Sequence, residues 1–203
     1  KFYYLMKLKL LLFLSIFFVL SCDDGDDLMP LEAMIVTNLY TPEYIGNGPN
    51  QQSANFIKFS FKEQTTTEGD DWDIAFRGTE ILVNGGFSGA NDEPTRTGLG
   101  AGYITIGNYG GIKSVDENLL NQDSQTQKAI PSTNGGWYEI KNNAIFPYSD
   151  KTLIFKTHNS RYAKVKIVSF YKDAPENINP FTNKSEYYTF SYTYQPNENV
   201  TTF

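Results

Sequence analysis

Few residues in this chain can do chemistry, and their types limit what that chemistry could be. There is one histidine, His158, and one cysteine, Cys22. A site needing two imidazoles cannot form within one chain, and neither can an intramolecular disulfide. His158 lies in the polar stretch Lys156-Thr157-His158-Asn159-Ser160-Arg161 between two apolar runs, so it reads as a hairpin-turn residue. Gly86-Phe87-Ser88-Gly89-Ala90 frames a serine but lacks the final glycine and the strand-to-helix setting of a nucleophile elbow. Gly98-Leu99-Gly100-Ala101-Gly102 leads into a strand rather than a helix, so it is no phosphate cradle. Asp92-Glu93 is a loop carboxylate pair with no second pair brought to it. No feature argues for an enzyme. What stands out instead is aromatic, with fourteen tyrosines and fifteen phenylalanines. These read first as a β core with phenolic hydroxyls at its wet edge, and second as a slot for a flat ligand.

The elements that must position such residues are strands. In Asp71–Gly89, Trp72, Ile74 and Phe76 alternate with Asp73, Ala75 and Arg77, the period of a half-buried strand. Ile81-Leu82-Val83 is a second short strand, stopped by Asn84-Gly85-Gly86. Ala33–Tyr40, Asn55–Lys62, Tyr103–Gly107 and Trp137–Ile140 read as further strands. Residues 153–171 read as a hairpin turning at His158–Arg161. Ala163, Val165 and Ile167 share a face there, and Val168 and Phe170 continue on the other, which predicts a bulge. Tyr188, Phe190, Tyr192 and Tyr194 alternate with Thr189, Ser191 and Thr193 in a closing strand. Ser114–Gln127 is the one helix candidate, since Ser114 and Glu117 have capping-box spacing. The class is all-β: a single, largely antiparallel domain of many short strands and long loops, spanning 33–203.

Ahead of the domain, Lys7 and Lys9 precede the apolar run Leu10–Leu20, the pattern of a secretory signal and too short to span a bilayer of about 20 apolar residues. Met6 reads as the initiator. Val19-Leu20-Ser21-Cys22 resembles a bacterial lipobox, so residues 1–21 are expected to be a cleaved lipoprotein signal peptide and Cys22 the lipidated N-terminus. Residues 22–32 then form a tether, opening with the acidic run Asp23-Asp24-Gly25-Asp26-Asp27, whose spacing does not fit a calcium loop. Such a run after a lipidated cysteine resembles an export signal to the outer face of the outer membrane. The chain carries a formal charge of −6, and loss of the leader removes three lysines and no acid. That excludes a general nucleic-acid binder, which needs cationic contacts to phosphate.

Five motifs occur in order: D-W-D-I-A-F at Asp71–Phe76, N-G-G-F-S-G at Asn84–Gly89, G-G-W-Y-E at Gly135–Glu139, Y-A-K-V-K-I-V-S-F-Y-K-D at Tyr162–Asp173, and F-S-Y-T-Y at Phe190–Tyr194. Together they resemble the HmuY family of haem-binding lipoproteins, from about Asn55 to Gln195. The resemblance implies an all-β fold, lipid anchorage at the outer membrane, and haem captured for an outer-membrane receptor. It also implies two histidine ligands, with methionine in some relatives. One histidine would lie three residues after Glu139, where this chain has Asn142. The other would lie in Ser114–Asn134, which has no His, Met or Tyr. Haem iron is ordinarily held by His, Met, Cys or Tyr. Around Asn142 the nearest such residues are Tyr138 and Tyr148, so these three are the expected haem-binding positions, with axial ligation unlike the family's. The other readings are the same scaffold binding a glycan or peptide, and a structural accessory lipoprotein without a small ligand.

The address generates its own test. Cys22→Ala is expected to move the protein from the detergent phase to the aqueous phase in Triton X-114 partitioning, with loss of fatty-acid labelling.

Overall fold

The computed structural model describes residues 28–203. The leader, Cys22 and the acidic run through Asp27 lie outside the described residues. Two antiparallel sheets face one another. The larger comprises β1 (Glu32–Tyr40), β8 (Ala101–Ile106), β11 (Lys151–Lys156), β12 (Tyr162–Tyr171) and β13 (Ser185–Gln195), in the order β1-β13-β12-β11-β8. The smaller comprises β4 (Ile57–Ser60), β5 (Thr65–Thr66), β6 (Ile74–Arg77) and β7 (Glu80–Val83), in the order β5-β4-β6-β7. Two small hairpins flank them: β2 (Tyr44–Ile45) with β3 (Gln52–Ser53), and β9 (Tyr138–Lys141) with β10 (Ala144–Pro147). Among the described residues no helix is long and apolar enough to cross a membrane.

Alternation along β13 explains the core. Tyr188, Phe190, Tyr192 and Tyr194 all point inward and are buried. They meet the smaller sheet across Phe76–Tyr188 (4.8 Å between ring centroids), Phe59–Phe190 (5.6 Å) and Phe61–Tyr192 (5.1 Å). Each such side chain contributes about 1.5–3 kcal/mol by leaving water. The phenols keep their hydrogen bonds: Tyr188 donates to the Gly78 carbonyl (3.0 Å) and Tyr192 to the Phe61 carbonyl (3.2 Å). The aromatic run is therefore core, not a slot.

The hairpin read from the sequence is present, with Lys156 paired to Tyr162 and a register shift between Ile167 and Ser169 that leaves Val168 exposed. Other expectations need correction. Trp72 does not share a face with Ile74 and Phe76. Strand pairing in β6 starts at Ile74, and Trp72 packs instead with Phe56, Ala75 and Leu82 in a second cluster. Both faces of that segment are covered, so it is fully rather than half buried. Ser114–Gln127 is not a helix. It contains one 3-10 turn, Glu117–Leu119, in which the Asn118 N–H is capped by the Asp116 side chain rather than by Ser114. Tertiary contacts override the local propensity. Val115 and Leu120 pack beside Tyr103, Ile154 and Tyr162, and Asn121 exchanges backbone hydrogen bonds with Gly102. The tether also ends sooner than expected, because Met29 is clamped by Asn197, its N–H donating to Oδ1 (2.8 Å) and its carbonyl accepting from Nδ2 (2.7 Å).

The long Gly/Asn/Thr segment after β7 is ordered by Asn84, which is fully buried. Its Oδ1 accepts from the N–H groups of Thr97 (2.8 Å) and Gly98 (3.1 Å), and its Nδ2 donates to the carbonyls of Asp70 (2.9 Å) and Trp72 (2.8 Å). Gly85 and Gly86 follow because the chain there runs against the Gly100 and Asp123 carbonyls, where a Cβ would clash, and Gly86 has φ +84°. Asn84→Ala removes four bonds at once and leaves buried backbone groups unpaired. It is expected to cost about 3–5 kcal/mol in urea unfolding, each stranded group costing about 1–3 kcal/mol.

Candidate functional site

The G-G-W motif builds a hairpin on the core. Trp137 is buried and its Nε1 donates to the Thr79 carbonyl (3.1 Å). Tyr138 packs on Trp137 (4.6 Å between ring centroids), and its hydroxyl donates to Thr79 Oγ1 at 3.4 Å. The chain then reverses at Asn142-Asn143, with φ +50° and +63°. This is the two-residue turn in which asparagine is favoured because it tolerates positive φ. Strand β10, absent from the sequence reading, follows directly, and Asn-Asn before Ala144-Ile145-Phe146 was the signal for it. Asn142 is thus an exposed turn residue, four residues and roughly 13 Å along the strand from Tyr138. Tyr148 donates its N–H to the Trp137 carbonyl (3.0 Å), and its ring lies under the Lys151 ammonium, 4.1 Å from the centroid. That ammonium in turn donates to the carbonyls of Gly135 and Gly136. Tyr138, Asn142 and Tyr148 therefore sit on one hairpin and its exit.

The sole histidine is more organised than a turn residue needs to be. Asp73, buried at the entry to β6, accepts from the Phe61 N–H at Oδ2 (2.8 Å) and from the His158 N–H at Oδ1 (3.0 Å). The His158 Nδ1 lies 2.7 Å from the same Oδ1. The His158 Cα and Cβ back onto Gly98, where an added Cβ would collide with them, and the His158 carbonyl accepts from the Leu99 N–H (2.8 Å). The Nε2 makes no hydrogen bond among the described residues, and the side chain keeps 23% exposure. The Asp73 hydrogen bond raises the imidazole pKa above 6.5, against the opposing effect of burial. An imidazole fixed through Nδ1 by a carboxylate, with Nε2 open, is the arrangement in which histidine serves as a metal ligand. Sequence reading placed His158 in its turn but missed Asp73. An acidic residue inside an otherwise apolar strand was the available signal.

A second polar cluster lies in the loops. Arg96 and Asp123 are both buried and meet at 2.7 Å, Arg96 also reaches Glu93 (2.9 Å), and Lys128 reaches Glu93 (2.5 Å). Asp123 accepts from the N–H groups of Val83 and Ala129 as well, so its bonding capacity is spent on the fold. Among the described residues no group of three or more His, Cys, Asp or Glu side chains could hold a metal ion.

Two concavities matter for ligands. A polar cleft of about 320 Å³ opens between the β2/β3 hairpin and the β6–β7 turn, lined by Glu43, Tyr44, Ser53, Arg77, Thr79, Glu80 and Ser132. A shallower apolar groove of about 440 Å³ lies along β1 and β13, at Ala33, Met34, Ile35, Tyr109, Ser191 and Tyr192. Tyr138, Asn142 and Tyr148 line neither.

An all-β sandwich with its fixed G-G-W hairpin and A-K-V hairpin defines the class, and the comparisons narrow it. The HmuY protein family model matches residues 50–192, and the chain belongs to that family. No curated protein matches the sequence. Among solved structures, the apo HmuY analog of Tannerella forsythia is 13% identical, with 85% of this chain and 100% of that one covered at a TM-score of 0.44. A Bacteroides fragilis protein described as a lipoprotein is 13% identical, with 82% and 92% covered at 0.45. A Bacteroides vulgatus protein described as HmuY-like and heme-binding is 12% identical, with 82% and 93% covered at 0.39.

The Asp73–His158 pair gives a pH signature. The unfolded imidazole titrates near 6.5 and the folded one higher. The stabilisation is therefore fully present below pH 6.5 and is lost as pH rises through the folded value. His158→Gln is expected to unfold more easily than the parent at pH 6 by about 1.5–3 kcal/mol, the range for a charge-assisted hydrogen bond. The gap should narrow toward pH 9 in paired urea titrations.

Proposed function

We propose that this protein is an outer-membrane lipoprotein that captures haem or a related porphyrin, for uptake through an outer-membrane receptor, with His158 as its axial nitrogen donor. It acts as a binding protein and not as an enzyme. Family membership supports the ligand class. The observation that carries the assignment to this chain is the His158 imidazole, held by buried Asp73 with Nε2 open. The surroundings agree. Leu99, whose N–H is bonded to the His158 carbonyl, is 59% exposed and offers an apolar surface on the same stretch of chain. Lys62 is exposed and close enough to bear on the imidazole charge, so it can meet a propionate on a protein that is otherwise acidic. The family's histidine position falls to Asn142, whose conformation is that of a turn residue. The Tyr138 hydroxyl donates to Thr79, and the Tyr148 ring lies under the Lys151 ammonium.

The test is a haem titration followed by absorbance under oxidising and reducing conditions. A saturable, shifted Soret band is expected, weakening as pH falls through the raised imidazole pKa because a proton then competes for Nε2. His158→Ala should abolish the shift while circular dichroism shows the fold retained, and Tyr138→Phe and Tyr148→Phe should leave it intact. A spectrum matching free haem with an unrelated protein would overturn haem capture. A band lost in Tyr148→Phe but kept in His158→Ala would move the ligand to the tyrosine.

A further inference from the structure

We propose that the polar cleft between the β2/β3 hairpin and the β6–β7 turn is a carbohydrate subsite that takes a neutral sugar, at the opposite end of the fold from His158. The two ends are set by the strands. Asp73 and His158 meet where β6 begins, whereas Arg77, Thr79 and Glu80 lie where β6 turns into β7.

The lining has the mixed chemistry that a polyol needs. Adjacent sugar hydroxyls each donate and accept, so they are best held by a carboxylate, a guanidinium and hydroxyls presented together. Glu43 and Glu80 supply carboxyl groups, Arg77 the guanidinium, and Ser53, Thr79 and Ser132 the hydroxyls. These groups are pre-positioned, which lowers the ordering cost of binding. Arg77 is held by Asp92 through Nη1 (2.7 Å) and by Glu80 through Nη2 (3.4 Å), and its guanidinium carbon sits 4.1 Å over the Phe56 ring. Thr79 is fixed from behind by Tyr138 and Trp137. Burial pushes the Glu80 carboxyl above its ordinary range, which adds a donor as pH falls. At the rim, Tyr44 is 51% exposed on a two-residue strand. Its ring offers the apolar face that the C–H side of a pyranose requires, with a polar edge in water.

Two features select against other ligands. Glu43 and Glu80 outnumber Arg77 in the lining, and Asp92 outside it already neutralises that guanidinium, so the cleft repels sialic acids, sulfated sugars and haem carboxylates. The polar lining also gives a porphyrin face little to rest on. At about 320 Å³ the cleft lies near the lower end of the roughly 300–1,000 Å³ typical of ligand pockets, suiting the terminal unit or two of a glycan rather than a long chain.

The test is a printed array of neutral, sialylated and sulfated oligosaccharides probed with the labelled protein, followed by calorimetric titration of the best neutral glycan. Binding to neutral glycans is expected. Tyr44→Ala and Glu43→Gln, both at exposed positions, should each weaken it at least tenfold. His158→Ala should leave glycan binding unchanged, and Tyr44→Ala should leave any haem spectrum unchanged, so this proposal and haem capture fail separately. No glycan bound above background would overturn it, as would a preference for sialylated or sulfated glycans, or unchanged binding in both cleft variants.

Discussion

A single buried carboxylate holds the two sheets in register. Asp73 takes one hydrogen bond from the strand end at Phe61 and two from the turn at His158. One side chain thus fastens the smaller sheet to the tightest hairpin of the larger. A buried anion is costly unless its acceptor positions are filled, and here three donors fill them. The aromatic interlayer supplies most of the driving force, but it is non-directional. Asp73 and Asn84 provide what packing cannot, a fixed alignment of chain segments distant in sequence. The accounting is nearly complete: among the described residues Trp72 Nε1 is the one buried side-chain nitrogen or oxygen without a partner.

The same logic runs through the loops. Residues 84–102 and 121–131 have little regular pairing, yet they are tied by Arg96–Asp123, by Arg96–Glu93 and by Lys128–Glu93. Charges taken from water must be repaid by close geometry and further hydrogen bonds. Asp123 has both, since two backbone amides complete its shell. Long irregular segments are thereby held in defined positions although they have little ladder pairing.

Alternation made much of this fold legible in the sequence. Tyr188 to Tyr194 and Ala163 to Ile167 announce one buried face each, and the change of face at Val168 announces the bulge. What escaped was set by partners far away in sequence. Ser114–Gln127 looks helical locally, but Asn121 is claimed by Gly102, and Val115 and Leu120 by a cluster on the outer face of the larger sheet. Trp72 looked like part of an alternating strand because period alone cannot show where pairing starts. The candidate site was less legible than the fold. Asn142 was marked by position relative to a motif, whereas its backbone shows a turn. The Asp73–His158 pair spans 85 positions, and nothing within either local stretch points to the other.

Asn197 grips the chain at Met29, and that grip gives the molecule a top and a bottom. Met29 enters β1 beside the end of β13, and Arg161 of the His158 turn donates to the neighbouring Pro196 carbonyl (2.9 Å). In the lipid-anchored form proposed above, at most about 25 Å of extended chain separates Cys22 from Met29. That form would hold the imidazole end close to the bilayer, on the side of the proposed receptor. The nine residues of β1 separate that end from the first residues of the polar cleft by roughly 30 Å of strand. In that proposed form one short leash would sort the two ends of a single sandwich, the imidazole end toward the bilayer and the cleft end away from it.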